Sequence, residues 1–445
     1  MSELYQKNIQ LIQKRWPEIA QEIDSQNIEQ LDAKLVEGNS QTISIDDIQL
    51  SSRHDPLEEA LFYRSQTQGE KYYLFGCAMG DIPKLLMHDK QAKSIIIYLI
   101  NPDVMKLVLH FTEQPWLEDE RFCLRFMEEN PVVRDALLAE DGAIILPSEK
   151  VLCKRHSPYL FYQFESANFF FHINKKMMDE EDAAFDAQRL KENVRILKKR
   201  KPVDKFTKNN YKKYPSAIVI GAGPTLEEQI DHLKEVMSRK HRPYIIAASM
   251  AGNTLYQHGI YPDAIINIDR GKGVGENNDG LTKFIPFQLA EKGTKFIVST
   301  LTPTDIIQKW AGELYYANLV TPNYDECQKR LPTERLFIYG SVIASAVHIA
   351  ASIATQRVYF MGMDFSFPDK KFHAGMDNNT HGNMTINEVV LNGYGEEVET
   401  STSYRTFLTG VECLTHEFSA LQFINCSRRG AKINNTTYLD EGVIV

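Results

Sequence analysis

The stretch AIVIGAGPTLEEQIDHLKEV, Ala217–Val236, decides the fold of this chain. Its apolar start is typical of a buried strand, the glycine-containing turn allows the backbone to reverse sharply, and the apolar spacing that follows predicts a helix. Thr225 and Glu228 have the S/T-x-x-E spacing of a capping box, which places the helix start at this point. The stretch therefore predicts a strand, a tight turn and a helix in direct succession.

The turn between this strand and this helix is a candidate phosphate site. Free backbone amides at a helix start favour an anion, and glycines let the backbone approach one closely. The turn lacks the third glycine of G-x-G-x-x-G and the lysine of a Walker A loop, so it matches neither a dinucleotide nor an NTPase fingerprint. A well-capped turn that binds nothing is the alternative interpretation. The candidate contacts are Gly221, Gly223, Pro224 and Thr225.

The same alternation of apolar strand and helix continues along the rest of the chain. Apolar runs separated by helices predict parallel strands that are covered on both faces. We therefore expect an α/β fold whose central and C-terminal domain is a Rossmann-like, doubly wound parallel sheet. The stretches that predict its further strands are PYIIAA, PDAIINID, TKFIVST, RLFIYG, RVYFMGMDF and FINCS.

A smaller unit of the same kind precedes this sheet. KYYLFG, residues 71–76, and SIIIYLINPD, residues 94–103, predict parallel strands on either side of a helix. The turn Gly76–Asp81 together with Asp103 is similar to the nucleotide-binding first turn of methyltransferases, although Asp103 can instead cap the next helix.

The predicted domain organisation has four parts. The chain is expected to divide into a helical and strand-containing N-terminal segment, a Rossmann-like N-terminal domain, a helical linker and a large α/β domain. The expected boundaries are 1–65, 66–177, 178–210 and 211–445.

The composition is that of an ordinary globular protein and argues against several classes. The chain has 445 residues, of which 43% are hydrophobic, and a formal net charge of −9. That acidic balance supplies no positive field for nucleic acid, so we expect no nucleic-acid partner. Six scattered cysteines without a CxxC pair favour reduced thiols, and no apolar run is long enough to span a bilayer. We expect a cytoplasmic protein without a membrane span, and its oligomeric state is left open.

Polar residues follow two of the predicted strands. Ser249 and Asn253 come after PYIIAA, and Asp269 comes after the next strand. Because ligands in open α/β sheets bind beyond the carboxyl ends of the strands, we expect these residues near the glycine turn. Asp269 would bind ribose hydroxyls, a base or a metal, and the alternative is a turn aspartate that caps local amides.

A third cluster contains the best candidate for a general base. Gly340 and Ser341 open an alanine-rich helix and can place amides and a hydroxyl on an anionic group. Asp364 ends a later strand, and His373 lies in the loop just past it. An imidazole that titrates near neutrality can accept a hydroxyl proton, although local sequence alone favours the interpretation of His373 as an ordinary surface or satisfied histidine. His381 is a weaker candidate of the same kind.

Taken together, these motifs resemble the central domain of the motility-associated factor (Maf) proteins, the flagellin-modifying glycosyltransferases. The resemblance rests on GAGPTL, AASMAGNTL, PDAIINIDRG, YGSVIASAVHIAASIATQRVYFMGMDFSF and KKFHAG, in that order, and covers about half of the chain. The same block is similar to bacterial metal-independent sialyltransferases and to an archaeal pterin diphosphokinase, the MptE-like enzyme.

The resemblance implies an inverting glycosyltransferase that moves a sialic or pseudaminic type of nonulosonic acid from a CMP-linked donor to an acceptor hydroxyl. It implies a donor and an acceptor as partners, with flagellin Ser/Thr or another glycan or protein as acceptor, and no further cofactor or metal. His373 would be the base. By the same likeness the glycine turn would contact phosphate, Ser249 and Asp269 cytidine or ribose, and Gly340 and Ser341 the sugar or phosphate.

Two other functions remain open from the sequence. A 6-hydroxymethylpterin diphosphokinase would need ATP and Mg²⁺, with Asp269 and Asp364 as metal ligands. A non-catalytic sugar-nucleotide-binding flagellar accessory protein would keep the crevice without the chemistry.

Overall fold

Two parallel β-sheets with helices on their faces organise the chain, one in each of two units, residues 1–171 and 172–445. The structure is a computed structural model that describes residues 2–67, 69–127, 142–157, 160–161, 180–271, 282, 284–375, 386 and 388–439. Each unit is described by itself. The predicted four-part division of the chain stays a prediction.

The first unit contains seven strands and six helices in its described part. The strands are β1 Ala33–Glu37, β2 Gln41–Ile45, β3 Ile48–Gln49, β4 Lys71–Phe75, β5 Ser94–Leu99, β6 Phe122–Phe126 and β7 Ala143–Ile145. The helices are α1 Glu3–Arg15, α2 Pro17–Ser25, α3 Pro56–Ser65, α4 Asp81–His88, α5 Pro102–Phe111 and α6 Pro147–His156.

The parallel sheet of the first unit has the order β6-β5-β4-β7, and β1, β2 and β3 form a separate antiparallel sheet. The alternating sequence TISIDDIQLSS thus forms the tight hairpin of β2 and β3, as its period of two predicts. One hydrophobic core runs from Tyr5 in α1 to Leu152 in α6. The N-terminal helices therefore pack on the same core as the Rossmann-like sheet.

The second unit contains twelve strands and eight helices in its described part. The strands are β8 Lys201–Pro202, β9 Tyr214–Ile220, β10 Tyr244–Ala248, β11 Ala264–Asn267, β12 Lys295–Ser299, β13 Leu314–Leu319, β14 Arg335–Leu336, β15 Ala354–Met361, β16 Glu388–Leu391, β17 Glu397–Thr400, β18 Gln422–Asn425 and β19 Thr437–Tyr438. The helices are α7 Glu180–Leu197, α8 Val203–Asn210, α9 Leu226–Ser238, α10 Gly252–Gln257, α11 Thr304–Lys309, α12 Asp325–Arg330, α13 Val342–Ile353 and α14 Thr402–Glu417.

The large sheet has the order β14-β13-β12-β11-β10-β9-β15-β18-β19, with β8 paired to β13, and all of its pairings are parallel. After the short strand β8, the chain enters the centre of the sheet at β9, adds strands outward to β14, and returns through α13 to place β15 on the other side of β9. The predicted α/β, doubly wound fold is therefore confirmed. Ala217–Ile220 in β9 are fully buried, which explains the unbroken apolar run in the sequence.

Two details differ from the sequence expectations. The stretch RLFIYG pairs only over Arg335–Leu336, since the following residues turn into the start of α13. The turn signals PDKK and LNGYGEE predict a polar loop after Phe367, but this region contains the antiparallel hairpin of β16 and β17 around Gly393 and Gly395. His381 lies outside the described residues.

Candidate functional site

The carboxyl ends of β9 and β15 form the switch point of the large sheet, where the strand order reverses. The segments that follow the two strands are in direct contact. The Gly221 amide donates to the Met361 carbonyl at 2.8 Å, and the Gly223 amide donates to the Gly362 carbonyl at 2.8 Å. A Cβ at position 221 would lie 2.3 Å from the Gly362 carbonyl oxygen. The glycines therefore serve close backbone packing at the position where doubly wound sheets form their ligand crevice.

The carboxylate of Asp364 closes the start of helix α9. It accepts the Thr225 amide at 2.9 Å and the Thr225 hydroxyl at 2.5 Å. The predicted capping box of Thr225 and Glu228 is wrong, since Thr225 makes no side-chain cap and its hydroxyl donates to Asp364 instead. Burial raises the pKa of Asp364 to about 6. The amide of Thr225 is consequently engaged by a carboxylate of the chain itself.

Helix α13 begins at the same crevice, since Ser341, Val342 and Ile343 line it. Ser341 caps this helix, because its hydroxyl accepts the Ile343 amide at 3.2 Å, and Gly340 takes a φ of +75° to make the turn into it. Within the described part of the chain, the amides of Val342 and Ala222 have no hydrogen-bond partner. Both residues line the crevice, so each of two strand-to-helix turns contributes to the lining a residue whose amide has no partner among the described residues.

The crevice is a cavity of about 170 Å³ with a largely apolar lining. Five of the predicted site residues line it, and they are Gly221, Gly223, Ser341, Asp364 and His373. The remaining predicted site residues lie outside the lining, and they are Pro224, Thr225, Ser249, Asn253, Asp269 and Gly340. The lining contains neither lysine nor arginine among the described residues, so an anion here would be held by amides and hydroxyls.

His373 lies on the loop that follows β15 and is half-buried at the edge of the cavity. The next residue fixes the loop to the glycine turn, because the Ala374 amide donates to the Ala222 carbonyl at 2.9 Å. Burial lowers the pKa of His373, although a hydrogen bond to the backbone of Ala222 opposes that effect. Burial therefore favours the neutral imidazole, which is the form that accepts a proton.

The polar residues after β10 and β11 bond mainly to one another. The Ser249 hydroxyl donates to the Asn267 side-chain oxygen at 3.0 Å. Asp269 is exposed, and its carboxylate accepts the Gly271 amide at 2.8 Å, which is the local turn role that the sequence left open. The neighbours of Ser249, Ala248 and Met250, line the cavity instead. Ala248 and Met250 can therefore border a ligand in the cavity, whereas the Asp269 carboxylate binds the backbone of its own loop.

Aromatic residues that the sequence reasoning missed form one wall of the cavity. Tyr404 and Phe407 come from helix α14, and their rings lie 6.1 Å apart. Tyr404 also stacks on Phe367 at 5.0 Å, and burial raises the pKa of its hydroxyl to about 12. The i, i+3 spacing of the two rings is the signal in the sequence that they share a face of this helix. Because both residues lie far along the chain from the glycine turn, the sequence does not show that they line the same cavity.

The glycine turn of the first unit is filled by the chain itself. The buried Glu149 carboxylate accepts the amides of Cys77 at 3.1 Å and Ala78 at 2.7 Å and the Asn101 side-chain amide at 2.6 Å. A Cβ at Gly76 would lie 2.3 Å from the Glu149 carboxyl carbon. An internal carboxylate thus occupies the position where a Rossmann-like turn would hold a phosphate.

The residues that the structure describes contain neither a metal-binding cluster nor a membrane-spanning helix. No group of three or more His, Cys, Asp or Glu side chains in these ranges is arranged to hold a metal ion. Among the helices of the same ranges, none is both long and apolar enough to cross a membrane.

The chain is similar in sequence and fold to known proteins. Residues 188–370 match the family described as 6-hydroxymethylpterin diphosphokinase MptE-like. The fold is similar to the MAf glycosyltransferase from Magnetospirillum magneticum AMB-1, with a TM-score of 0.51 and 14% identity over 98% of this chain and 74% of that one. No curated protein matches the chain in sequence. The resemblance to Maf proteins with an MptE-like central domain is thereby confirmed at the level of the domain and the fold.

Proposed function

We propose that this chain, with its MptE-like domain over residues 188–370 and the fold of a Maf glycosyltransferase, transfers a nonulosonic sugar from a CMP-linked donor to an acceptor hydroxyl. The observation that carries the proposal is the crevice at the β9–β15 switch point, where Ala222 and Val342, whose amides have no partner among the described residues, line the same cavity as His373. An anion receptor and a neutral base in one cavity are the two elements that sugar transfer from a nucleotide donor requires.

The donor phosphate would bind between the two strand-to-helix turns. The Ala222 amide comes from the turn after β9 and the Val342 amide from the first turn of α13, and the Ser341 hydroxyl stands beside the latter. Both amides are fixed by the backbone before any ligand arrives. They would stabilise the charge that builds on the phosphate as the bond to the sugar breaks, without reorganisation at that moment.

His373 would act on the acceptor. As C2 of the sugar becomes oxocarbenium-like and CMP leaves, the imidazole would take the proton from the attacking acceptor hydroxyl. Its lowered pKa keeps it unprotonated for that step. Phe372, Tyr404 and Phe407 would pack against the apolar parts of the sugar and limit the access of water. We propose a flagellin hydroxyl as the acceptor, and a glycan or another protein as the alternative acceptor.

Transfer in the presence of EDTA tests this proposal. The purified chain is incubated with a CMP-linked nonulosonic acid and a candidate acceptor, and release of CMP together with the mass increase of the acceptor is followed. We expect transfer to continue with EDTA at a rate close to that without it. Transfer that stops with EDTA and returns with Mg²⁺ would contradict the metal-independent mechanism.

The match to the MptE-like family favours a second candidate, a diphosphokinase that uses ATP and Mg²⁺. This function would require Asp364 and Asp269 as magnesium ligands. Both oxygens of Asp364 already accept hydrogen bonds from Thr225, and Asp269 caps the Gly271 amide. These contacts make the diphosphokinase the weaker proposal. Formation of a pterin diphosphate from ATP would establish it.

A further inference from the structure

Glu227, in the first turn of α9, contacts the histidine loop on both sides of His373. One carboxylate oxygen accepts the Gly375 amide at 2.8 Å, and the other pairs with the Lys371 ammonium at 3.2 Å. These contacts fall two residues after and two residues before His373. No other side chain in the described ranges has hydrogen bonds that bracket the histidine in this way.

The imidazole of His373 itself hydrogen-bonds the backbone of Ala222, and the loop has two further attachments at the next residue. The Ala374 amide bonds to the Ala222 carbonyl at 2.9 Å, and the Thr254 hydroxyl reaches the Ala374 carbonyl at 3.4 Å. Gly375 has a φ of +71° and lies in an exposed position, so its amide would face water without the carboxylate. An ionised acceptor makes a stronger hydrogen bond to an amide than a neutral one. Glu227 therefore supplies a strong attachment two residues after His373.

We propose that Glu227 is a positioning residue for His373: its carboxylate, held on the rigid start of α9, fixes the loop so that the imidazole stays at the edge of the cavity. The inference rests on the proposed function for its catalytic consequence, because His373 is the base of that reaction. The placement of the loop by Glu227 is independent of the reaction. Residues that fix a catalytic group from behind control its geometry to within a fraction of an ångström.

The pKa of Glu227 is lowered, mainly by the hydrogen bond from the Gly375 amide and further by the contact with Lys371. This agrees with a carboxylate that stays ionised and bound to the loop. The neighbouring residue Glu228 makes a different contact, with Arg429. Glu235, further along the same helix, pairs with Arg239 at 2.8 Å on the surface and has no contact with the loop in the described structure. It provides a matched control for the loss of a helix carboxylate.

The test compares Glu227→Ala, Glu227→Gln and Glu235→Gln. Glutamine keeps an oxygen that can accept the Gly375 amide and loses the charge, whereas alanine loses both contacts. We expect kcat for transfer to fall at least tenfold in Glu227→Ala and less in Glu227→Gln, with the donor KM within about twofold of the wild-type value. We expect the acidic limb of the pH profile to move toward the ordinary histidine pKa in Glu227→Ala, because a released imidazole loses its burial.

Amide hydrogen exchange separates the failure of this inference from the failure of the proposed function. Exchange in the peptide that contains residues 371–375 should be at least tenfold faster in Glu227→Ala than in the wild type and unchanged in Glu235→Gln. If the wild type shows no transfer but the exchange result holds, the proposed function fails and the positioning role stands. Unchanged exchange and unchanged kcat in Glu227→Ala would overturn the inference.

Discussion

The Asp364 carboxylate accepts both the amide and the hydroxyl of Thr225, at 2.9 and 2.5 Å, and so ties the end of β15 to the start of α9. The contact joins the two strands that flank the switch point, and Thr225 is fully buried. Asp364 therefore lines the crevice with a carboxylate whose two oxygens both accept hydrogen bonds from Thr225 before a ligand binds.

The first prediction concerns this contact. Asp364→Ala leaves the buried Thr225 amide without an acceptor, whereas Asp364→Asn keeps one oxygen in place. Because an unsatisfied buried donor costs about 1–3 kcal/mol, we expect the alanine variant to be less stable than the asparagine variant by that amount. Urea unfolding at pH 7 measures the difference. Equal stabilities would show that the Thr225 amide finds another partner.

The second prediction concerns the proposed base. His373→Asn removes the proton acceptor and retains a polar side chain of similar size, so we expect the rate of transfer to fall about 10²–10⁴-fold. Binding of CMP should change little, since the proposed phosphate contacts come from Ala222 and Val342. His241→Asn alters an exposed histidine and serves as the control. Transfer at the wild-type rate in His373→Asn would remove the histidine from the mechanism.

The third prediction concerns pH and Glu412. This carboxyl is buried in α14 and accepts the Asn434 amide at 2.8 Å, and burial raises its pKa to about 7. The folded state therefore binds a proton more tightly than the unfolded state, and stability falls as the pH rises from about 4.5 to about 7.

Glu412→Gln keeps an acceptor oxygen and removes this charge. We expect its stability relative to the wild type to rise across that interval by on the order of 2 kcal/mol, since each pKa unit corresponds to about 1.4 kcal/mol. Thermal unfolding of both proteins at pH 5 and pH 8 measures the change. A constant difference at both pH values would contradict the buried, proton-binding carboxyl.

The fourth prediction concerns the first unit. Because the Glu149 carboxylate already fills the turn after β4, we expect one nucleotide to bind per chain and S-adenosylmethionine not to bind. Isothermal titration calorimetry gives the stoichiometry. Two nucleotides per chain, or binding of S-adenosylmethionine, would show that the turn opens to a ligand.

Much of the large sheet could be predicted from the sequence, because β9 to β12 and β15 contain apolar runs bounded by glycine, proline or polar turn residues. The strands β8, β13 and β19 were not among those predicted. Ala217–Ile220 and Val358–Met361 are examples of runs that only a doubly covered sheet can bury. The hairpin of β16 and β17 escaped detection because its residues are mostly exposed and its turn residues also fit a loop.

The site was only partly predictable, since local sequence does not say which partner a polar group will choose. Thr225 has the spacing of a capping box, yet Asp364, far along the chain, takes its hydroxyl and amide. Asp269 could equally have faced a ligand or its own turn. The aromatic wall of Tyr404 and Phe407 depends on the packing of α14, a long-range contact that no local pattern contains.

The central claim is that the crevice at the switch point binds a CMP group through fixed backbone amides, and the variant Val342→Pro tests it most directly. Proline is well accepted at the first position of a helix, and Ser341 before it has the extended backbone that proline requires, with φ of −133° and ψ of 140°. The substitution deletes the free amide and keeps the helix. Val342→Ala keeps the amide and is the matched control.

The measurement is a thermal-shift and calorimetric comparison of CMP, UDP, GDP and ATP, with EDTA or with Mg²⁺, on the wild type and both variants. We predict that CMP with EDTA stabilises the wild type and Val342→Ala most, and that its affinity falls at least tenfold in Val342→Pro while the ligand-free stability is retained. Preferential binding of ATP with Mg²⁺, or equal CMP affinity in Val342→Pro, would contradict the account.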